Sequence, residues 1–472
     1  MNLPRASRAR RLRLRTTSIA VGVALAAGPV PFLAAAPASA AAAKPAKHYD
    51  DFNGDGYRDL AVSHTHDGIF AFNDRAVLVT YGGPKGLTTK KQVIHQNSPG
   101  IPGASESGDL FGTVLASADL NRDGYADLVV GNPSEAAGRT RVGSVTLVWG
   151  SAKGLKGGTS LPRKAAGNGH PTFGSSIATG DFNGDGRPDI ATVNGDDVQL
   201  YRGGFTKSGG LGKVSKYDRE GQSWNSDTIA AGKVNGDGKT DLVVTGVRGV
   251  GMTFRTEAWF LKGTAAGLAS GPAKVIDSKR QHEWLDAAVG DFDRDGYGDI
   301  AVGNPVANDG RGRVTVWYGT SAGPGKRSIT LSQSTAGVAG ASEAWDQFGS
   351  SLTAGDADGD GYADLAVGVP GEKVGAEVNA GGAYLFRGGK GGLKGSRSAG
   401  LGKSFPGVAG APAAHDILGY DLRLRDLNRD GRADLAVAVP GEDSVRILPG
   451  AKGGVTGTGS STLRVVGSDL PE

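Results

Sequence analysis

The sequence predicts an all-β protein, a seven-bladed β-propeller of four-stranded antiparallel blades. Three observations predict it. A nine-residue acidic segment recurs seven times, at spacings of 52 to 70 residues. Each copy sits within the same order of short apolar runs, about four to a repeat, and several of them alternate with period two, the mark of half-buried strands. Glycine supplies 80 of 472 residues, more than twice its usual share. It falls beside Asp, Asn and Pro with no collagen-like period, which is the texture of many tight turns.

The acidic segments begin at Asp51 (DFNGDGYRD), Asp119 (DLNRDGYAD), Asp181 (DFNGDGRPD), Lys233 (KVNGDGKTD), Asp291 (DFDRDGYGD), Asp356 (DADGDGYAD) and Asp426 (DLNRDGRAD). Upstream lies Phe111-Gly112, Phe173-Gly174, Phe348-Gly349 or Leu418-Gly419, then a short strand into the loop. After the loop comes an apolar run such as DLAVG, often ending near a proline: Pro133, Pro305, Pro370 and Pro440. A second alternating strand ending in Gly follows (VTLVWG, VTVWYG, AYLFRG, AWFLKG), then a weaker fourth such as SITLSQ. Four strands per repeat, with no helices to cover a parallel sheet, point to a propeller. A β-helix would show a much shorter period, and a sandwich would not repeat. HYDDF leaves a very short first strand for blade 1, and STLRVVG can supply the last outer strand.

Residues 1–40 read as a secretory signal peptide and 41–472 as the propeller. Six arginines (Arg5, Arg8, Arg10, Arg11, Arg13, Arg15) precede an apolar stretch and the small-x-small site Ala38-Ser39-Ala40. Arg10-Arg11 leaves twin-arginine export open beside the general route. Gly28, Pro29 and Pro31 argue against an uncleaved membrane anchor. The whole chain carries +4; less these six arginines it carries −2, so no nucleic-acid partner is expected. Cysteine is absent, which excludes disulfides, a thiol nucleophile, a lipoprotein anchor and Cys-based zinc sites.

Positions 3, 5 and 9 of each loop, and position 1 of all but the fourth, bear side-chain oxygen, and position 6 is Gly in every copy. Alternate residues of a sharp turn can direct oxygens at one calcium ion, which takes six to eight of them. Position 7 would add its carbonyl. Uncompensated, such carboxylates would repel one another. The expected ligands are Asp51, Asn53, Asp55 and Asp59; Asp119, Asn121, Asp123 and Asp127; Asp181, Asn183, Asp185 and Asp189; Asp291, Asp293, Asp295 and Asp299; Asp356, Asp358, Asp360 and Asp364; and Asp426, Asn428, Asp430 and Asp434. In the fourth copy Lys233 replaces the first aspartate. Its ammonium is expected to take the place of the ion, paired with Asp237 and Asp241. About six Ca2+ are therefore expected as structural staples, since ion binding to a folded site is folding energy.

The FG pair, the D-x-[ND]-x-D-G-x-x-D loop and the Gly-x-Pro, recurring in that order over residues 48–465, resemble FG-GAP repeats. These are the units of the integrin α-subunit propeller and are similar to VCBS-type repeats. The resemblance implies a seven-bladed propeller with calcium-binding inter-strand loops on one face, extracellular placement and a role in binding or adhesion. The leg domains and membrane helix of an integrin have no counterpart in this sequence.

Trp224, Trp284 and Trp345 precede loops and would either pack between blades or stack on sugars. Trp149, Trp259 and Trp317 lie on strand patterns and read as core. The seven histidines are scattered; His64 and His66, beside Asp67, read as a solvated strand end, with a lyase or zinc site as the alternative. No esterase, zinc-protease or P-loop motif occurs. The expected function is a secreted, monomeric, non-catalytic adhesion or binding module for an extracellular protein or glycan. No membrane anchor is expected after signal cleavage. Segments 97–109, 334–347 and 403–417 are expected to vary and to carry specificity. The alternative is an extracellular polysaccharide lyase or hydrolase with its site at the central channel, and a third reading is an accessory part of a larger assembly.

Overall fold

In the computed structural model of the chain, residues 45–65, 75–166, 171–219, 223–250, 253–277 and 285–465 are described. The leader read in residues 1–40 lies outside them, as do His66, Asp67, His170, His282 and Trp284. The structure is nearly all β, and its seven principal sheets are seven blades. Six have four antiparallel strands in simple sequence order from the innermost outward. Blade 6, for example, runs Leu352–Gly355, Asp364–Val369, Gly382–Phe386, Ser398–Leu401. Its second strand is buried along all six residues, as befits a strand covered on both faces by other blades.

Blade 1 has three strands, Leu60–Thr65, Arg75–Thr80 and Lys91–Ile94. The short inner strand expected from HYDDF is not formed; the chain before the first loop turns, with Asp51 N–H donating to the His48 carbonyl. The last strand, Ser461–Arg464, is the outer strand of blade 7, as STLRVVG predicts. The described strands of blade 7 thus come from one stretch of chain, and the seam with blade 1 is closed by apolar packing together with an Arg425–Asp50 ion pair at 3.8 Å. Leu60 and Leu78 of blade 1 bury against Ala436, Val445, Ile447 and Leu463 of blade 7. Each of the other six junctions between successive blades has a cluster of the same kind, such as Phe292, Val314 and Leu331 of blade 5 against Phe348, Leu365 and Phe386 of blade 6. Each such side chain, fully buried, contributes about 1.5–3 kcal/mol.

The FG pairs have two separable jobs. Phe111, Phe173, Phe348 and Leu418 are buried. The following glycine lengthens the pairing of the first two strands: Gly349 donates to the Gly368 carbonyl at 2.9 Å and Gly419 to that of Ala438 at 3.0 Å. That glycine also meets the previous blade main chain to main chain. A β-carbon on Gly131, Gly303 or Gly368 would lie 2.4, 2.0 or 2.1 Å from the carbonyl oxygen of Gly174, Gly349 or Gly419. Glycine is needed on the second strand because nothing larger fits between the blades.

Trp149, Trp259 and Trp317 are core residues, as predicted. Trp224 is buried edge-on against Trp259 and donates its indole N–H to Ser226 Oγ. Trp345 is 65% exposed. Among the described residues no helix is long and apolar enough to cross a membrane.

Candidate metal loops and the opposite face

In blades 2 to 7 each acidic loop links the first two strands, in blade 1 it leads into the first strand, and the strand order puts all seven at one end of the blades. The links between second and third strands, and the connections from one blade to the next, lie at the other. Position 6 is Gly with φ from 78° to 93° in all seven copies, the left-handed turn that glycine makes without strain. Position 4 is left-handed too, and there Arg122, Arg294 and Arg429 stand where the other copies have glycine.

Position 1 organises the turn. In the six copies that have aspartate there, one carboxylate oxygen accepts the N–H of position 5 and the other that of position 6. For Asp356 these come from Asp360 at 3.1 Å and Gly361 at 2.8 Å; Asp51, Asp119, Asp181, Asp291 and Asp426 repeat the pattern. The position-5 carboxylate accepts the N–H of position 7. Where position 3 is asparagine, its amide donates to position 5, as Asn53 does to Asp55 at 2.9 Å, Asn121 to Asp123, Asn183 to Asp185 and Asn428 to Asp430.

Position 9 does work that its sequence pattern conceals. In all seven copies this buried carboxylate accepts two backbone N–H groups. One comes from position 2 and the other from the glycine closing the third strand: Gly82, Gly150, Gly203, Gly263, Gly319, Gly388 and Gly450, at 2.7–2.9 Å. It ties the acidic loop to the far end of the third strand. Burial pushes Asp59, Asp127, Asp299 and Asp364 up to about 7, and Asp189 and Asp434 to about 6, against the opposing pull of those amides.

In blades 5 and 6, where position 3 is also aspartate, three acids converge. One oxygen each of Asp291, Asp293 and Asp299 lie within 4.8 Å of one another, as do those of Asp356, Asp358 and Asp364. Asp293 Oδ1 is buried without a hydrogen-bond partner. An all-oxygen donor set with an unanswered buried oxygen fits a hard cation. Arginines on the third or fourth strand of the same blade answer part of the charge: Arg327 lies 2.6 Å from Asp293, and Arg387 lies 3.7 Å from Asp358.

The fourth loop departs from expectation. Lys233 forms no ion pair with Asp237, Asp241 or any other of the described residues. Asp237 instead faces Lys262 at 3.4 Å and Lys239 at 3.9 Å, and Asp241 takes the side-chain amide of Asn235 at 3.3 Å and its backbone N–H at 3.1 Å besides the N–H groups of Val234 and Gly263. Lys233 sits at the exit of the inner strand, whereas Lys239 is inside the loop and Lys262 on the third strand beside it. The charge of the site is met from within the blade.

At the opposite end, the three segments expected to vary prove to be one motif. Residues 98–112 (SPGIPGASESGDLFG), 335–349 (TAGVAGASEAWDQFG) and 405–419 (FPGVAGAPAAHDILG) align without a gap. Each contains a buried aspartate, Asp109, Asp346 or Asp416, that accepts the backbone N–H three residues earlier. Just before each stands Gln96, Gln333 or Lys403, bonded to Glu135, Glu372 or Glu442 behind the Pro turn of the next blade. The self-alignment was the available signal for both. Along the inner strands, Leu352 donates its N–H to Asp286 Oδ2 at 2.8 Å, and Leu424 its N–H to Thr353 at 3.1 Å. Burial raises Asp286 to about 6 and Asp227 to about 7.

Fold and loops together define a β-propeller whose blades each carry an acidic turn at one end. Residues 111–148, 284–317, 348–386 and 418–463 match the FG-GAP repeat, and 181–244 the FG-GAP-like repeat. The chain thus contains FG-GAP repeats and resembles the integrin α propeller. Phosphatidylinositol-glycan-specific phospholipase D of Bos taurus is 34% identical over 208 residues, 40% of this chain and 24% of that protein. Integrin alpha-IIb of Homo sapiens is 30% identical over 226 residues, 42% of this chain and 20% of that protein. The similarity thus spans a quarter or less of these relatives. Among solved structures, the Pseudomonas aeruginosa periplasmic gluconolactonase PpgL superposes with a TM-score of 0.47 at 16% identity, over 87% of this chain and 97% of that one.

Proposed function

We propose that this protein is a secreted, calcium-braced binding module that engages an extracellular protein or glycan through the face opposite its acidic loops. One observation supports this most: the two ends of the blades are built differently. Of the six large apolar side chains exposed among the described residues, Phe254, Trp345, Val378 and Tyr420 belong to segments at the loop-rich end. Val275 lies near the end of an outer strand running toward it, and only Tyr49 is at the acidic end, covered by Arg58 and Arg425. Apolar side chains gathered on one surface mark interaction sites, and loops on a rigid scaffold commonly carry recognition.

Calcium would be held by positions 1, 3, 5 and 9 of the six loops that begin with aspartate. It would supply the positive charge that the buried ninth carboxylates lack. Secretion rests on the arginine-rich, apolar leader; the exported protein should begin at residue 41 on N-terminal sequencing. The function is tested by substituting the two ends separately, Trp345 and Val378 to Ala against Tyr57 and Tyr125 to Ala. Capture of extracellular-matrix proteins and polysaccharides should fall with the first pair and not the second. The reverse result would place the binding surface on the acidic face.

A second reading has its own observation. Asp227 and Asp286, with carboxyls pushed up to about 7 and 6, stand on or at the start of inner strands, and Arg423 acts electrostatically on Asp286. Such groups suit general acid–base cleavage of a polysaccharide at the channel. Product release that is lost in Asp227→Asn would favour it.

A further inference from the structure

The eleventh residue of the three-fold inter-blade motif is held left-handed every time: Gly108 at φ 86°, Trp345 at 72° and His415 at 65°. The backbone sets this conformation. Trp345 N–H reaches the Asp309 carbonyl at 3.3 Å and Gln347 N–H that of Gly310 at 2.8 Å. In the next copy His415 N–H reaches Val378 at 2.9 Å and Ile417 N–H reaches Asn379 at 3.0 Å. These two motifs are thereby zipped to the second-to-third-strand links of blades 5 and 6. Blade 2 shows the unstrained solution, a glycine. Blade 6 places the largest side chain there and leaves it 65% exposed, so burial does not offset the strain. Stability alone would not select tryptophan at this position.

The strain is also concentrated. Eleven described residues other than glycine are left-handed, and seven of them belong to these zipped segments: Asn308, Asp309, Trp345, Gln347, Asn379, His415 and Ile417. Strained backbone of this kind collects at ligand-binding sites. The segments are continuous, because Gly371 donates to the Asp346 carbonyl at one end of the link 371–381, while Val378 accepts from His415 near the other.

The surface chemistry is specific. The zipped segments expose one flat indole together with Asn308, Asp309, Glu343, Asn379 and His415, groups that exchange hydrogen bonds with hydroxyls. Asp309, Glu343 and Glu377 outnumber Arg311 and Lys373, which disfavours an anionic chain. We infer that this surface, spanning blades 5 to 7, is a binding site for an uncharged glycan, with Trp345 as the platform on which a sugar ring stacks. The inference rests on the proposed loop-face function and narrows it to one ligand class and one position.

The test is affinity electrophoresis and calorimetry of the calcium-loaded mature protein. Probes are cellulose oligosaccharides, xylan, glucomannan, soluble starch and chitin oligosaccharides, with polygalacturonate and heparin as anionic comparisons. At least one neutral glycan should bind. Trp345→Ala and Trp345→Gly should each weaken it tenfold or more, and His415→Ala by less. Trp345→Gly should leave the melting temperature unchanged or raised, a result that a packing role for the ring would not give. Binding unaffected by either Trp345 variant, binding to anionic chains only, or no glycan binding would overturn the inference. So would self-association abolished by Trp345→Ala, which would identify the patch as a dimer face. If a protein ligand is captured at this face and no glycan is, the inference fails while the loop-face function stands. If only acidic-face substitutions impair capture, both fail.

Discussion

The acidic loops of blades 4 and 6 share only Gly, Asp, Gly and Asp at positions 4, 5, 6 and 9, and they differ in what holds the turn shut. In blade 6, Asp356 gathers two backbone amides, and Asp358 and Asp364 bring oxygens beside it. In blade 4, Lys233 gathers nothing; Asn235 caps the turn, and Lys239 and Lys262 face Asp237. Yet Asp241 and Asp364 make the same two backbone bonds to position 2 and to the third strand. Closing the blade and collecting charge are therefore separable tasks. The ninth residue performs the first in every blade, and the first residue makes the second available.

The largest effect expected from this division is that of calcium. Each site at a hundredfold excess over its dissociation constant adds about 2.7 kcal/mol. Chelation should thus lower the melting temperature by roughly 10 °C or more, and metal analysis should find about six ions. An unchanged melting curve would reduce the loops to hydrogen-bonded turns. Next, Asp241→Ala and Asp364→Ala each strand the buried amides of position 2 and of the third-strand glycine and should cost about 2–5 kcal/mol. In chelator the two losses should match, and with calcium the Asp364 loss should be the larger. Equal losses in both conditions would erase the distinction between the blades.

A third effect concerns the opposite end. Burial raises Glu372 to about 7, with Gln333 as its hydrogen-bond partner. The acid form is favoured in the folded state, so this stabilisation is complete below about pH 4.5 and fades as pH rises through 7. The unfolding free energy from urea titrations should fall by roughly 1–3 kcal/mol between pH 5 and 8 from this group, after allowance for solvent screening. Glu372→Gln should flatten that slope. Fourth, Lys233→Asp should recreate the missing acceptor and bind a seventh ion, gaining about 1 kcal/mol with calcium and nothing without it. The smallest effect falls at the ring seam, where Arg429 lies 5.1 Å over the Tyr57 ring. Arg429→Ala should cost about 0.5–1 kcal/mol in thermal unfolding, with no change in ion count.

The architecture was legible because it is written seven times. Blade number, strand order and the core tryptophans follow from the spacing of the acidic segments and the alternation around them. The loop residues were legible as a group, but not their division of labour. That Asp364 reaches Gly388 depends on a contact 24 residues away, which local pattern does not carry. The Lys233 pairing was misread because a lysine in a ligand's place suggests substitution in space, while the charge is met from Lys239 and Lys262. The kinship of the inter-blade segments was missed because attention to acidic loops hid a second, gap-free repeat. Trp345 read ambiguously because exposure is set by a left-handed backbone that sequence spacing does not announce.

The glycine contacts between blades have a consequence for how such a ring changes. Gly131, Gly303 and Gly368 meet the following blade through its main chain, so that contact does not depend on which side chains the neighbour carries. A copied blade presents the same fitting on both sides. A gene duplication of one repeat therefore produces a junction that already matches, and the ring can evolve by adding or losing whole modules before any side chain is refined.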